Sequence, residues 1–113
     1  MKNSRLSIVA ALLLAGVIGC SSSSRPSVRV RNERATKANV QFKDASGNTT
    51  NINDVSGGST SAYTEVAPGA YTVTAVIQNE VISPTVTFTG LEDKSYTIVV
   101  LVGATPTLRV DVP

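Results

Sequence analysis

The stretch AYTVTAVIQ, residues 70–78, alternates apolar and polar side chains along most of its length. One set of alternate positions holds Tyr71, Val73, Ala75 and Ile77, and the other holds Thr72, Thr74 and Gln78. Successive side chains of a β-strand point to opposite faces, so the pattern predicts a strand with one buried and one solvated face. The abundance of valine and threonine favours the same structure, because branched side chains suit a pleated, half-buried surface.

The same alternation recurs from about residue 27 to the end of the chain, and turn-forming stretches such as DASGN, VSGGST and APGAY interrupt it. In APGAY, Pro68 and Gly69 suit the two corners of a type II turn. We expect strands at about 27–33, 38–44, 48–55, 60–66, 70–79, 82–89, 95–103 and 107–112. Short strands separated by frequent turns predict an all-β protein, a single immunoglobulin-like or transthyretin-like sandwich of seven to eight antiparallel strands.

Composition limits the classes of function. The chain has 113 residues, no histidine and no tryptophan, and Cys20 is its only cysteine, so an internal disulfide is excluded. The formal net charge is +2, but Lys2 and Arg5 supply that excess, and the chain from Cys20 onward is formally neutral. A neutral body predicts no nucleic-acid partner.

The first twenty residues have the features of a targeting segment. Lys2 and Arg5 precede a largely apolar stretch of 13 residues, 6–18. That stretch is too short for a membrane-spanning helix, which needs about 20 residues, and it suits a signal peptide. Val17-Ile18-Gly19-Cys20 resembles the lipobox of bacterial lipoproteins.

The lipobox resemblance implies cleavage after Gly19, a diacylglycerol on the Cys20 sulfur and acylation of the new amino group. It thus implies a membrane partner through the lipid on Cys20, and Ser21 fits sorting to the outer membrane. An ordinary secretory signal with an incidental cysteine is the alternative. The expected organisation is a lipoprotein signal peptide at 1–19, a lipidated cysteine and serine-rich tether at 20–26, and a β-sandwich domain at 27–113.

The body of the chain also resembles a family. The stretches VRVRNERATKANVQFKD, VAPGAYTV and TFTGLEDKSYTIVVLVG are similar to a bacterial secreted domain of unknown function that occurs in surface lipoproteins. Its pattern includes V-R-V-x-N and V-x-P-G-x-Y-x-V, although NERATKAN replaces the proline-rich segment usual after the first strand. The resemblance implies a sandwich fold and a cell-surface context, and it implies no activity.

We expect no enzymatic activity, no catalytic residues, no metal site and no cofactor. The commonest general base, histidine, is absent, a lipidated cysteine is no nucleophile, and no serine lies in a G-x-S-x-G elbow. Most carboxylates flank turns, where they cap backbone groups. DASGN lacks the glycine position and distal glutamate of a calcium loop. Calcium or carbohydrate binding is a minor alternative.

Two tyrosines and three aliphatic residues are the candidate sites in the domain. Tyr71 and Tyr96 each open a strand after a turn, which suits a tyrosine corner, although simple strand-opening aromatics would look the same. Val99 and Leu101 break the alternation of SYTIVVLVG and, together with Val76, are a candidate patch for a partner or a second copy. Scattered surface hydrophobes, or cover by a loop such as NERATK, would also explain them.

These features favour a non-catalytic, lipid-anchored envelope protein that acts as a binding or structural module at the cell surface or in the periplasm. The alternative is an accessory lipoprotein subunit of a larger outer-membrane export or adhesion assembly. The two differ in whether an envelope protein partner is required, and self-association is compatible with the first.

Overall fold

The described part of the chain, residues 24–112 of the computed structural model, consists of β-strands joined by turns and loops. The predicted signal peptide, Cys20 and the first tether residues lie outside the described residues. The strands are β1 (Ser27–Asn32), β2 (Ala38–Asp44), β3 (Thr49–Val55), β4 (Thr64–Glu65), β5 (Gly69–Ile77), β6 (Thr85–Gly90), β7 (Ser95–Leu101) and β8 (Thr107–Asp111). Residues 24–112 contain no helix, and therefore none long and apolar enough to cross a membrane.

The strands form two four-stranded sheets. The first sheet has the order β4-β1-β7-β8, and the second has the order β3-β2-β5-β6. The all-β, sandwich-like prediction is confirmed. Burial follows the alternation that the sequence shows, because β5 buries every second residue from Tyr71 to Ile77.

The prediction that all strands are antiparallel is wrong for one pair. β1 and β7 run parallel through six residue pairs, from Ser27 opposite Ser95 to Asn32 opposite Val100. β2 lies in the other sheet, so β1 cannot pair with the strand that follows it in sequence. The connection from β1 to β7 contains β2–β6, and parallel neighbours require such a long crossover connection.

The fourth strand is much shorter than the expected 60–66. Residues 58–61 lie beside β1 and form backbone hydrogen bonds with it, including an isolated bridge between Thr60 and Arg31. The side-chain hydroxyl of Ser61 nevertheless accepts from the Val30 amide at 2.9 Å, where a regular ladder would use a carbonyl. Regular pairing is restricted to Ser27 opposite Glu65 and Val28 opposite Thr64. A side-chain acceptor in place of a backbone carbonyl interrupts the ladder. The alternation of apolar and polar residues does not reveal such an interruption.

The core lies between the sheets and is largely aliphatic, with an aromatic cluster towards one side. The Phe88 ring packs against three others, with centroids 5.5 Å from Tyr71, 4.8 Å from Tyr96 and 6.5 Å from Phe42. Burial of such rings and of the surrounding valines supplies most of the stabilisation of a domain of this size. The fully buried aliphatic side chains include Val28, Val30, Val40, Val73, Ile98 and Val100.

The sandwich has two distinct ends, the turn end and the loop end. The turn end comprises the chain entry at Ser24 and the connections 45–48, 66–68 and 91–94. The loop end comprises the connections 33–37, 56–63, 78–84 and 102–106. β5 runs from the turn end to the loop end over nine residues, which separates the two ends by about 27 Å at about 3.3 Å per residue.

Candidate functional site

The chain enters the domain through a hydrogen-bonded clasp at the turn end. Asp93 Oδ1 accepts from the Ser24 amide at 2.7 Å and from the Ser24 hydroxyl at 3.0 Å. The Asp93 amide donates back to the Ser24 carbonyl at 2.9 Å. Asp93 has a positive φ of 63°, a conformation that aspartate tolerates better than most residues. The hydrogen bond from the Ser24 amide lowers the pKa of the exposed Asp93 carboxyl most, and the bond from the Ser24 hydroxyl lowers it further.

Residues assigned to the tether therefore belong partly to the folded domain. Pro26 is buried beneath the turn end, and its ring lies 3.4 Å from the position that a side chain on Gly90 would take. The Pro26 carbonyl accepts from the Val66 amide at 2.9 Å. The clasp and the buried proline hold residues 24–26 against the sandwich, so the last three residues of the predicted tether (20–26) contact the folded domain.

Both predicted structural tyrosines bond to nearby backbone through their hydroxyls. The Tyr71 hydroxyl donates to the Ala67 carbonyl at 2.6 Å. Burial raises the pKa of Tyr71 most, and the negative charge of Asp44 raises it further. The Tyr96 hydroxyl accepts from the Leu91 amide at 2.9 Å. Each tyrosine thus fixes the connection before its own strand at the turn end, which is the geometry of a tyrosine corner.

The structure does not bring Val99, Leu101 and Val76 together. Val99 is fully buried and Leu101 is half-buried on β7, whereas Val76 is 56% exposed on the outer face of the other sheet. Arg31 and Arg109 lie opposite Val99 on the two neighbouring strands. Aliphatic stems of arginine cover apolar surface while their charged ends reach water, which explains the burial of Val99 on an outer face. A single patch of all three residues is excluded by this placement.

A buried asparagine organises the entrance to the loop end. Asn32 is fully buried, and its side-chain amide donates to the Thr36 carbonyl at 2.6 Å and to the Val55 carbonyl at 3.0 Å. Its side-chain oxygen accepts from the Arg34 amide at 3.0 Å. Asn32 is the asparagine of the V-R-V-x-N pattern, so that pattern has a structural reason: the residue ends β1 and shapes the loop that follows.

Arg34 ties three connections of the loop end together, and sequence reasoning missed it. Its guanidinium donates to Glu80 at 2.7 Å, to the Leu101 carbonyl at 3.0 Å and to the Gly103 carbonyl at 3.2 Å. The Arg34 side chain is only 12% exposed. No local signal could have found this contact, since Glu80 and Leu101 lie 46 and 67 residues further along the chain.

The loops that Arg34 ties together present apolar side chains to solvent. Val81 is 99% exposed, Val102 is 64% exposed and Ile82 is 49% exposed. A shallow groove of about 180 Å³ lies beside them between Arg34, Asn79 and Val102. A fixed set of loops with exposed apolar tips can contact another protein, because ordering the loops in advance lowers the entropy cost of binding.

The outer face of the second sheet is polar and carries a single basic group, Lys43. A groove of about 360 Å³ lies over Lys43, Thr72 and Thr87, where the small Ala70 leaves room. This face can hydrogen-bond a neutral polar ligand. Its other side chains are the apolar, exposed Val76 and the polar Asn39, Gln41, Thr49, Asn51, Asn53, Thr74, Thr85 and Thr89. Within residues 24–112, no three carboxylate or thiol groups come close enough to hold a metal ion.

The fold is similar to that of two solved structures. The N-terminal domain of AlgF from P. aeruginosa superposes with a TM-score of 0.54 at 22% identity, over 81% of this chain and 99% of that one. A protein from Eubacterium rectale superposes with a TM-score of 0.57 at 16% identity, over 87% of this chain and 95% of that one. No protein family matches the sequence, and no curated protein does. At these identities the likeness concerns the fold alone.

Proposed function

We propose that the protein is a lipid-anchored, non-catalytic component of the bacterial cell envelope, held in the outer membrane through a lipid on Cys20. It acts there as a binding or structural module, on the cell surface or in the periplasm. The lipobox at residues 17–20 and the serine at position 21 support the anchor and its location. Two or more acyl chains on one residue would give stable attachment, which one chain alone does not.

The observation that carries the proposal is the short covalent distance between the anchor and the domain. Ser24 is bound to the domain by the clasp, so at most three residues separate Cys20 from the folded part of the chain. If Cys20 carries the lipid, a domain that is held at Ser24 must lie close to it. This arrangement suits a module that presents its surface close to a membrane.

Within the sandwich class, the strand order supports the transthyretin-like type over the immunoglobulin-like type. An immunoglobulin constant-type domain places its first, second, fourth and fifth strands in one sheet. Here β1 and β4 lie in one sheet, while β2 and β5 lie in the other. The transthyretin-like alternative is therefore the one that we propose.

Detergent phase partitioning tests the anchor. We expect the wild-type chain, expressed with its first nineteen residues in a Gram-negative host, to partition into the detergent phase, and the Cys20→Ala chain to remain in the aqueous phase. Ser22→Ala is the matched control, because it changes the neighbouring sequence and leaves the sulfur in place. Equal partitioning of the wild type and Cys20→Ala would contradict the proposal.

A second candidate function is that of an accessory subunit of a larger export or adhesion assembly, and the exposed loop end favours it. Val81 and Val102 project into solvent from loops that Arg34 holds together. If an assembly partner binds there, Val81→Ser combined with Val102→Ser should abolish recovery of a stoichiometric partner after mild detergent extraction. Val76→Ser, at a valine of the second sheet that is 56% exposed, should leave partner recovery unchanged. Loss of the partner in both variants, or in neither, would exclude the loop end as the docking surface.

A further inference from the structure

The position of the chain entry determines which end of the sandwich can lie near a membrane. Ser24 is bound to Asp93 at the turn end, and Ser27 continues into β1 with its amide bonded to the Lys94 carbonyl at 3.1 Å. Four peptide units join Cys20 to Ser24, and a fully extended chain spans at most about 3.6 Å per residue. The α-carbon of Cys20 therefore lies within about 14 Å of that of Ser24, whatever the conformation between them.

The loop end lies far from Ser24 compared with the reach of the chain between Cys20 and Ser24. So short a connection cannot hold the loop end at the membrane with the turn end away from it. β5 begins beside Gly90, directly before Leu91, and it ends at Ile77, directly before the loop that carries Val81. The rise of its nine residues, about 27 Å, is roughly twice the reach of the connection to Cys20.

The turn end also has side chains that suit a lipid surface. Leu91 is 54% exposed there, beside the clasp, and its backbone is fixed by the Tyr96 hydroxyl. Arg25 and Lys94 are exposed around it beside Glu92 and Asp93, and Asp44 and Glu65 end strands at the same end, so basic groups are not in excess there. Without an excess of basic groups the turn end has no net attraction to anionic lipid, so the covalent lipid has to supply the binding. The exposed leucine can enter the headgroup region.

We propose that the turn end, with Ser24, Leu91 and Asp93, lies against the membrane that holds the lipid of Cys20, and that the loop end points away from it. This inference rests on the proposed lipid anchor and adds an orientation to it. The loop end, with its exposed valines, is then the surface that reaches furthest from the membrane. The clasp is the element that sets this orientation, because it removes residues 24–26 from the free connection.

Depth measurement on the full lipidated chain tests the orientation. Cys20 is the only cysteine, and in the lipidated chain its sulfur is blocked by the thioether to diacylglycerol. Leu91→Cys and Val81→Cys therefore each introduce a single reactive thiol, at exposed positions on opposite ends. Each variant is labelled with a fluorophore and placed in phosphatidylcholine vesicles that contain a headgroup-attached nitroxide quencher. Lipid attachment is verified by mass, and folding is verified by thermal unfolding of each labelled chain.

We expect at least a threefold greater quenching of the label at position 91 than of the label at position 81. We also expect no gain in quenching at position 91 when anionic lipid is added, since the turn end has no excess of basic groups. Equal quenching at both positions in a lipidated chain would overturn the orientation and leave the anchor intact. A chain without lipid, unquenched at both positions, would overturn the anchor and the orientation with it.

The clasp itself has a matched pair of variants. Asp93→Gly removes the carboxylate that binds Ser24 and suits the positive φ at that position. Asp54→Gly makes the same change at another aspartate of positive φ, 58°, which makes no bond to the chain entry. The ratio of quenching between positions 91 and 81 should fall in the Asp93→Gly background and persist in the Asp54→Gly background. An unchanged ratio in Asp93→Gly would show that the clasp does not set the orientation.

Discussion

Replacement of Asn32 by aspartate should destabilise the domain more than any other change of so few atoms. The Asn32 side chain is fully buried, and its amide nitrogen lies 2.6 Å from the Thr36 carbonyl and 3.0 Å from the Val55 carbonyl. In Asn32→Asp, a carboxylate oxygen would face those two carbonyl oxygens with no proton between them. The variant loses two hydrogen bonds of about 1 kcal/mol each and buries an unpaired charge. Together these changes lower the free energy of unfolding by at least about 3 kcal/mol at neutral pH.

That loss is large compared with the stability of the whole domain. A domain of this length has a free energy of unfolding of about 4–13 kcal/mol, so the melting temperature should fall by about 12–24 °C. The pH dependence gives a second readout. Burial and the facing carbonyls should raise the pKa of the new carboxyl above its unfolded value of about 3.9. The penalty is therefore greatest above the folded pKa, and it should shrink as the pH falls through that pKa, because a protonated carboxyl can donate one bond.

Urea unfolding of the chain from Ser24 onward, at pH 7 and at pH 5, measures both effects. The control is Asn51→Asp, which introduces the same charge at an exposed position of β3 and should change stability by less than about 0.5 kcal/mol. An Asn32→Asp protein within 0.5 kcal/mol of the wild type, or one whose deficit is the same at both pH values, would refute the reasoning about Asn32.

Three further predictions concern single side chains. Arg34→Ala should lower the free energy of unfolding, measured in urea, by about 2 kcal/mol, because it removes three hydrogen bonds of a largely buried guanidinium. Arg109→Ala is the control: it breaks an exposed ion pair within one strand and should lower the same free energy by less than about 0.5 kcal/mol. Val99→Ala should cost about 1.5 kcal/mol and Val76→Ala almost nothing in the same assay, because only the first is buried; equal losses would contradict the placement of Val99. Because the folded pKa of Asp93 lies below its unfolded value, its bonds should persist above about pH 4 and break as the pH falls further, which amide exchange at the chain entry would detect.

The sequence predicted the features that depend on neighbouring residues. The strand β5 and its buried face follow from alternation alone. Gly69, with a φ of 134°, begins β5 directly after a bend at Pro68, where the sequence predicts a type II turn. Asp44 caps the turn after β2 by accepting from the Ser46 and Asn48 amides at 2.9 Å each. These properties need only a few adjacent side chains, so they are visible in a single sequence.

Features that depend on distant segments could not be predicted. The parallel pairing of β1 with β7 depends on which sheet each strand joins, and alternation is the same in both cases. Val99 resembles a surface valine in the sequence, and only the register with Arg31 and Arg109 buries it. The Arg34 contacts likewise join segments that lie far apart in the chain.

The mass of the mature chain, extracted from the membranes of a Gram-negative host, tests the lipid anchor most directly. We predict a chain that begins at Cys20 and carries the mass of a diacylglycerol thioether and an amide-linked acyl group on that residue. Alkali treatment should remove the ester-linked acyl chains and leave the amide-linked one. A chain that begins elsewhere, or that begins at Cys20 with a free thiol, would contradict the lipid anchor and the membrane orientation that depends on it.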